Sequence, residues 1–305
     1  MQILNSKIIN SALISTILIL IGLSPAYAGS QNKQGILHPK GLLWKIEKPG
    51  EQISYLYGTM HIGDSRVTNL SEQAEKAFLQ ADHFVMEMLL NFRSLGFVTR
   101  ASFFNDGRTL KETMGPIRYK GLTKLVYKRI FVSEDIIQHM KPWAVLMMLM
   151  MPVEQQLEAP AVLDMVLFRR ASQRKIQVSG LETAEEQIAV FESLSIDEQI
   201  WLLNRSVEEI EVTDSQMPEM LNAYLQRDLG KLMLMQREFM YEDSEIDDKF
   251  MYQLLDLRNH RMVERMQPAL RQGNAFIAIG ALHLPGESGV LHLLEQQGYS
   301  VAAVY

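Results

Sequence analysis

Two stretches near opposite ends of the chain decide the fold, YLYGTMHIG at residues 55–63 and IAIGALHLPG at residues 277–286. Each begins as an apolar run that predicts a strand and continues into Gly-x-x-His and a further glycine. The two histidines, His61 and His283, therefore fall just beyond the carboxyl end of a predicted strand. In open α/β sheets this edge is where ligands and reacting groups gather, and glycine there lets the backbone turn tightly and approach a ligand.

Strands and helices alternate on both sides of a long helical middle segment. The helical periodicity of residues 89–173 is broken at Gly115-Pro116, Pro142, Pro152 and Pro160. This order predicts an α/β (α+β) fold, with a pseudo-symmetric central β-sheet, flanking helices and a large helical insertion at about 89–173. We expect one domain over residues 42–305 after a flexible lead at 29–41. The predicted strands cover residues 42–47, 53–57, 84–88, 175–179, 275–279 and 301–305.

Capping patterns predict where several helices begin. Asn69 with Glu72 predicts a helix that ends near residue 81, and Ser195 with Glu198 predicts one that ends near residue 211. Further helices are expected at about 217–241, 247–271 and 289–297.

The N-terminus has the pattern of a signal peptide. Lys7 precedes an apolar run at residues 8–23, and Ala26-Tyr27-Ala28 supplies the small residues that a signal peptidase requires. We expect a signal peptide at residues 1–28, cleavage after Ala28, and a periplasmic or secreted protein with no stable membrane anchor after cleavage. An uncleaved signal anchor is the alternative, although the run is short for spanning a bilayer.

Composition excludes several classes of function. The formal net charge of −6 provides no basic field for phosphate backbones, so we expect no nucleic-acid partner. The chain has no cysteine, which removes disulfides, thiolate nucleophiles and every Cys-based zinc site. Any metal must be held by His, Asp or Glu.

The candidate site combines the two histidines with a carboxylate on a third strand. If the strands are neighbours, His61, Glu87 and His283 converge on one edge of the sheet. Two imidazoles and a carboxylate can hold a divalent metal that activates water. The same three residues can also work without metal, with a histidine as general base. The residues alone leave both possibilities open.

Four further residues are candidates beside this trio. Arg258 and Asn259 lie late on the helix before the second motif, where a guanidinium can reach a carboxylate or an oxyanion, and Glu182 follows the strand at 175–179. Met147 belongs to the stretch AVLMMLMM at residues 144–151. That stretch is interpreted either as a buried helix between prolines or as an adaptable apolar groove for substrate.

These residues stand in motifs that resemble one known family. The chain resembles the TraB/GumN family, to which the animal Tiki proteins also belong, over nearly all of residues 42–305. The matching stretches are Leu43-Trp44-Lys45-Ile46, residues 57–63, Glu87, Lys141-Pro142-Trp143, Gly180-Leu181-Glu182-Thr183 with Gln187, Arg258-Asn259 and residues 280–289.

The resemblance implies a fold similar to the erythromycin esterase and ChaN-like group, with His61, His283 and Glu87 at the active site. Tiki members are described as metalloproteases that depend on manganese or cobalt. The esterase relatives use a similar His and Glu arrangement without an established need for metal, and ChaN-like relatives bind haem. The family name therefore leaves the reaction open.

We expect an exported metal-dependent hydrolase, a peptidase in the leading interpretation, that acts on a peptide or a small hydrophobic substrate. In this interpretation His61, Glu87 and His283 surround manganese, cobalt or zinc, Arg258 polarises the substrate, and Glu182, Asn259 and Met147 contact it. The alternatives are a metal-free esterase-like hydrolase with the same residues, and a periplasmic protein that binds haem or a hydrophobic ligand. The sequence predicts neither the oligomeric state nor the bond that is cut.

Overall fold

A computed structural model describes residues 35–89, 91–150, 161–238 and 244–305. The predicted signal peptide with its cleavage site, residues 29–34 of the predicted lead, and the breaks at Pro152 and Pro160 lie outside the described residues. Within these ranges, the structure contains no helix of the length and hydropathy needed to cross a membrane.

One six-stranded sheet forms the centre of the fold, in the order β4-β3-β5-β2-β1-β6. Neighbouring strands from β4 to β2 run parallel, whereas β1 pairs antiparallel with both β2 and β6. The predicted α/β class with a central sheet and flanking helices is confirmed. The strands are β1 (Leu43–Glu47), β2 (Ser54–Thr59), β3 (His83–Met88), β4 (Gln177–Glu182), β5 (Ala275–Gly280) and β6 (Ser300–Ala303).

The inner strands are apolar because both faces of the sheet are covered. All six residues of β3 are buried, and so are the first five residues of β5. The last residue of β5, Gly280, is partly buried. Near-continuous apolar runs are typical of parallel strands with helices on both sides. Phe276 of β5 lies at the centre of an aromatic cluster, with ring centroids 5.4 Å from Phe78 and 6.0 Å from Tyr57.

Fourteen α-helices lie in the described residues, together with a π-helix (Tyr252–Asp256) and a 3-10 turn (Ala281–His283). The α-helices are α1 (Ser65–Thr68), α2 (Glu72–Gln80), α3 (Phe92–Ala101), α4 (Leu110–Met114), α5 (Pro116–Ile130), α6 (Glu134–Ile137), α7 (Pro142–Leu149), α8 (Leu163–Arg174), α9 (Ala184–Glu192), α10 (Ile196–Leu225), α11 (Leu229–Glu238), α12 (Glu245–Met251), α13 (Leu257–Gln272) and α14 (Val290–Gln296).

The described residues divide into two compact units. The sheet unit contains all six strands and comprises residues 35–89, 161–182 and 216–305, apart from the undescribed residues 239–243. Helix α8 belongs to it and packs against β3 and β4. The single-domain boundaries and the extent of the predicted insertion stay predictions.

The helical unit comprises residues 91–150 and 183–215. Its core includes α7, where every side chain from Pro142 to Leu149 is buried. Trp143 stacks on Phe191 of α9, and Arg129 donates to the carbonyl of Leu149 at the end of α7. Complete burial favours the buried-helix interpretation of this stretch.

Two of the predicted helix boundaries are wrong. The N-cap of α2 is Ser71, whose hydroxyl accepts from the Ala74 N–H, whereas Asn69 ends the short helix α1. Helix α10 runs to Leu225 through Pro218, whereas the sequence predicts that it ends near residue 211. A proline removes one N–H donor, and the burial of neighbouring side chains such as Met220 and Tyr224 offsets that loss. The capping box of Ser195 and Glu198 at the start of α10 is confirmed.

Candidate active site

The topology brings the two Gly-x-x-His motifs side by side. Strands β2 and β5 are adjacent and parallel, with Thr59 opposite Gly280, and β3 is the other neighbour of β5. Because parallel strands end at the same edge, His61, His283 and Glu87 meet there. All three are buried, with exposed fractions of 7%, 5% and 3%.

The Nδ1 side of the His61 ring contacts a carboxylate that the sequence did not predict as part of the site. Its Nδ1 lies 2.9 Å from Oδ2 of Asp164, an ion-pair distance without the alignment of a hydrogen bond. Asp164 is 1% exposed and also accepts from the hydroxyl of Thr59 at 3.0 Å. The contact turns Nε2 of His61 towards the shared edge.

His283 is held in a similar way by an amide. Its Nδ1 lies 2.6 Å from Oδ1 of Asn259, and Nδ2 of Asn259 donates to the carbonyl of Ser288 at 2.8 Å. The Ser288 carbonyl can only accept, which fixes the orientation of the amide and places the ring proton of His283 on Nδ1. Nε2 therefore carries a lone pair, 3.9 Å from Oε1 of Glu87.

Glu87 is fixed by two donors. Oε1 accepts from the N–H of Gly280 at 2.6 Å, and Oε2 accepts from Nη2 of Arg258 at 2.7 Å. Arg258 also donates to both oxygens of Glu182 through Nε and Nη2. One guanidinium thus joins the ends of β3 and β4 to helix α13.

The π-helix before α13 supplies a further acceptor for this guanidinium. Nη1 of Arg258 donates to the carbonyl of Leu254, within the π-helical turn, at 3.3 Å. Single π-turns interrupt the regular hydrogen-bond ladder and occur frequently at functional sites.

Burial and the charges of Arg258 and Asp164 shift the pKa values of Glu87, His61 and His283. Burial raises the pKa of Glu87, but Arg258 and the two histidines outweigh it and hold that pKa at about 2. Burial lowers the pKa of His61, but Asp164 and Glu87 outweigh it and raise the pKa above its usual value. Burial and the charge of Arg258 together lower the pKa of His283 to about 3. The pKa values of the two imidazoles are therefore shifted in opposite directions.

Gly280 leaves open the space between these groups. A Cβ atom there would lie 3.2 Å from Oε1 of Glu87, 3.4 Å from Cδ2 of His283 and 3.8 Å from Nε2 of His61. The φ angle of −54° is accessible to any residue, so glycine serves here for space and not for backbone conformation.

The donor chemistry at this space fits a divalent metal. Two imidazole Nε2 atoms and a carboxylate are the ligand types that manganese, cobalt and zinc take, and Asp164 and Asn259 hold Nδ1 as outer partners of metal-bound histidines commonly do. The three side chains are farther apart than the ligands of a bound metal. In the described parts of the chain, no three His, Asp or Glu side chains lie at metal-ligand distances.

Six of the seven predicted site residues lie in the sheet unit and come together there. Glu182 and Asn259 serve as partners of Arg258 and His283, and their predicted contact with substrate stays a prediction. Met147 is in the helical unit and is 1% exposed, so its contact with substrate also stays a prediction. Asp164 was missed because a carboxylate in the first turn of a helix is more often a partner of the helix dipole.

A cavity of about 470 Å³ in the sheet unit is lined by Asn259 and Leu282, which neighbour His283, but His283 itself does not line it. Asn259 and residues 285–289 of the loop after His283 form one side of it. Met233, Leu255 and Leu282 contribute apolar surface, and Arg237, Asp256 and Glu287 contribute charge. The cavity can therefore receive a partly apolar group.

Comparison with known proteins finds relatives over most of the chain. The chain is 24% identical to the protein named Metalloprotease TIKI1 of Danio rerio, over 85% of this chain and 62% of that relative. It is 23% identical to Metalloprotease TIKI1 of Homo sapiens, over 91% of this chain and 65% of that relative. It is also 23% identical to the protein YbaP of Escherichia coli, over 82% of this chain and 90% of that relative.

The chain thus spans about three-fifths of the length of its Tiki relatives. No solved structure matches it. The model of the TraB/PrgY/gumN family matches residues 42–303, which include both Gly-x-x-His motifs, Glu87 and Arg258. The chain therefore belongs to the TraB/PrgY/gumN family.

Proposed function

We propose that this protein is an exported hydrolase of peptide-like or small hydrophobic substrates, with a divalent cation held by His61, Glu87 and His283. The observation that carries the proposal is the convergence of the three side chains around the space beside Gly280. Asp164 and Asn259 hold the two Nδ1 atoms, which leaves the Nε2 atoms to face that space. The printed names of the Tiki relatives, which describe metalloproteases, support the same reaction class.

The protein's own residues orient and polarise the reacting groups. Manganese, cobalt or zinc bound there would lower the pKa of water towards neutrality. Glu87 stays ionised because of Arg258 and is positioned to ligate or to accept a proton. Arg258 places a positive charge at the edge where negative charge develops on the substrate. The cavity lined by Asn259 and Leu282 is consistent with a substrate that carries a partly apolar group.

Export is the second part of the proposal. It rests on the apolar run at residues 8–23 and the small residues before Gly29. Mass spectrometry of the chain that cells release would test it, and an exported chain beginning at Gly29 is expected. A chain that keeps residues 1–28 would contradict cleavage.

A specific observation favours a metal-free hydrolase as the second candidate. Both oxygens of Glu87 already accept hydrogen bonds, from Gly280 and Arg258. The pKa values of the two histidines shift in opposite directions, and enzymes assign a general acid and a general base to pairs whose environments separate their pKa values. In this candidate one imidazole takes the proton from water as general base, and the other donates a proton to the leaving group.

Metal content separates the two candidates. We would measure manganese, cobalt and zinc in the purified parent and in the His61→Ala/His283→Ala variant, and then screen both against a peptide library. The proposal predicts about one divalent ion per chain in the parent, none in the folded variant, and hydrolysis by the parent only. The control is His83→Ala, because His83 is equally buried but lies at the other end of β3, bonded to Ser179.

Three other results have definite meanings. Hydrolysis without metal in the parent, even after reloading at neutral pH, would establish the metal-free candidate. Absence of hydrolysis together with tight haem binding would establish the ligand-binding alternative. Equal loss of thermal stability in the His61→Ala/His283→Ala variant and in the His83→Ala control would show that the site histidines are structural.

A further inference from the structure

Helix α5 in the helical unit exposes one unusually basic face. Its fifteen residues include five Lys or Arg side chains and no Asp or Glu. The residues at Ile117, Lys120, Lys124, Tyr127 and Lys128 are spaced by three or four, so they share one face of the helix, and Phe131 follows at the C-cap. We call these six residues the lysine face. The opposite side is buried and includes Tyr119, Leu122 and Val126.

Apolar side chains on the lysine face are exposed to solvent. Ile117 is 88% exposed, Tyr127 is 65% exposed and Phe131 is 53% exposed. Single exposed apolar residues are common on protein surfaces, but three along one basic helix face form a mixed surface. Water is a poor solvent for these side chains, and their transfer into an apolar phase lowers the free energy.

In the described parts of the chain, the three lysines Lys120, Lys124 and Lys128 form no ion pair with an acidic side chain. Glu134 and Asp135 of the neighbouring helix α6 act on Tyr119, which lies on the buried side of α5. The lysine face thus keeps an uncompensated positive charge on a chain whose net charge is −6.

We propose that the lysine face docks the protein on the surface of a membrane rich in anionic phospholipids. Lysine ammonium groups would pair with headgroup phosphates, while Ile117, Tyr127 and Phe131 enter the boundary between headgroups and acyl chains. Charge complementarity selects an anionic surface, and the exposed apolar side chains favour a lipid surface over an acidic protein. Aromatic rings such as that of Tyr127 are enriched at this depth of a bilayer.

A fluorophore placed on this face reports docking locally. The chain has no cysteine, and a side chain at exposed Gly121 would meet no other atom within 4 Å, so Gly121→Cys gives a single labelling site. The probes are vesicles of phosphatidylcholine with or without phosphatidylglycerol. A label at Gln73→Cys on helix α2 of the sheet unit provides the reference. The protein is purified from cells without further truncation. Circular dichroism checks that each variant is folded.

The proposal predicts a blue shift of the Gly121→Cys label with anionic vesicles alone, weakened at high salt. The variant Lys120→Gln/Lys124→Gln/Lys128→Gln is expected to bind anionic vesicles more weakly by roughly fivefold per lysine, on the order of a hundredfold in total. The matched control Lys40→Gln/Lys76→Gln/Arg169→Gln removes the same charge from other exposed positions and is expected to bind like the parent.

The apolar contribution has its own test. Ile117→Ser/Tyr127→Ser is expected to remove the blue shift and leave only weak, salt-sensitive binding. Phe92→Ser changes another exposed side chain of the helical unit, 96% exposed, and is expected to have no effect.

Three results would overturn the proposal. One is the absence of a blue shift at Gly121→Cys with anionic vesicles. Another is equal weakening of binding by the two triple variants, which would show that net charge alone matters. The third is a blue shift of the Gly121→Cys label with soluble polyglutamate but not with vesicles. That result would assign the lysine face to an acidic protein partner.

Discussion

Asp164 determines which nitrogen of His61 reaches the reacting edge. Its carboxylate lies 2.9 Å from Nδ1, while Nε2 faces the space beside Gly280. Asp164→Asn keeps the shape and the contact with the Thr59 hydroxyl, but it removes the charge that favours this orientation. We expect hydrolysis to fall by roughly 10–100-fold with little change in melting temperature, since loss of such outer partners has effects of this size.

Steady-state kinetics that separate kcat from KM would check this expectation. A fall in kcat with KM unchanged supports a positioning role for Asp164. Asp82→Asn, at the opposite end of β3, is the control and should retain full activity. An equal fall in both variants would argue against any special role of Asp164.

Gly280 is required for space, and this too can be tested at one residue. In Gly280→Ala the new methyl group would stand 3.2 Å from Oε1 of Glu87 and 3.4 Å from His283, so both side chains must move by a few tenths of an ångström. Displacements of this kind in a reacting group reduce activity, here by roughly tenfold or more, while the φ angle remains acceptable.

Activity and thermal unfolding would be measured together for this glycine. Gly121→Ala is the comparison, because its Cβ meets open space inside a helix and should raise the free energy of unfolding by about 0.5–1 kcal/mol. If Gly280→Ala kept full activity, the space between the three side chains would have no functional importance.

At the scale of elements, Arg258 joins helix α13 to two strands through buried charges. Its guanidinium contacts Glu87 of β3 and Glu182 of β4, and all three side chains are at most 7% exposed. Arg258→Met would leave two carboxylates buried without their main cation. We expect the free energy of unfolding to fall by about 3–5 kcal/mol, because unpaired buried charge carries a cost of this size.

A double-mutant cycle would show whether that cost arises from the pairing. The variants are Arg258→Met, Glu182→Gln and both together, compared by urea unfolding. Since the double variant removes one of the stranded charges, its loss should be smaller than the sum by more than about 1 kcal/mol. Arg261→Met removes a partner that is 26% exposed and 3.4 Å away, and it should cost less than about 1 kcal/mol. Simple additivity in the cycle would contradict a coupled cluster.

The elements that sequence predicts best are those whose signal is local. The apolar runs at residues 84–88 and 275–279 lie within β3 and β5, and the resemblance of the two Gly-x-x-His stretches corresponds to two adjacent strands. The end of α10 was predicted near residue 211, whereas the helix continues to Leu225 with its buried neighbours Met220 and Tyr224. Packing contacts between segments that are distant in sequence determine where such a helix ends, and the hydrophobic periodicity of one segment carries no information about those contacts.

The same distinction applies to the site. His61, Glu87 and His283 could be predicted to converge because each follows or ends a strand, and parallel strands share an edge. Asp164 could not, since strand β3 and seven described helices separate it from its partner His61 in the sequence. Nor does the sequence reveal that Arg258 is already bonded to two carboxylates, because both strands must first be placed beside α13.

At the scale of the whole molecule, buried tyrosines link the stability of the sheet unit to alkaline pH. Tyr57 on β2 is 3% exposed, and burial raises its pKa from the usual 10.0 to about 12. The neutral phenol is therefore favoured in the folded state, whereas the unfolded chain loses this proton near pH 10. The contribution of Tyr57 to stability is complete below about pH 10 and is lost as pH rises from 10 to 12, by roughly 2–3 kcal/mol.

Urea unfolding at a series of pH values between 9 and about 12 would measure this loss. Tyr57→Phe is expected to flatten the decline without abolishing it, because burial also raises the pKa of neighbouring Tyr224, whose hydroxyl donates to the Gly58 carbonyl at 2.9 Å. Tyr57→Phe/Tyr224→Phe should flatten it further. The exposed Tyr127→Phe serves as the control for losing one tyrosine. Parallel curves for the parent and Tyr57→Phe would show that Tyr57 does not carry the alkaline transition, and that the sheet unit unfolds there for another reason.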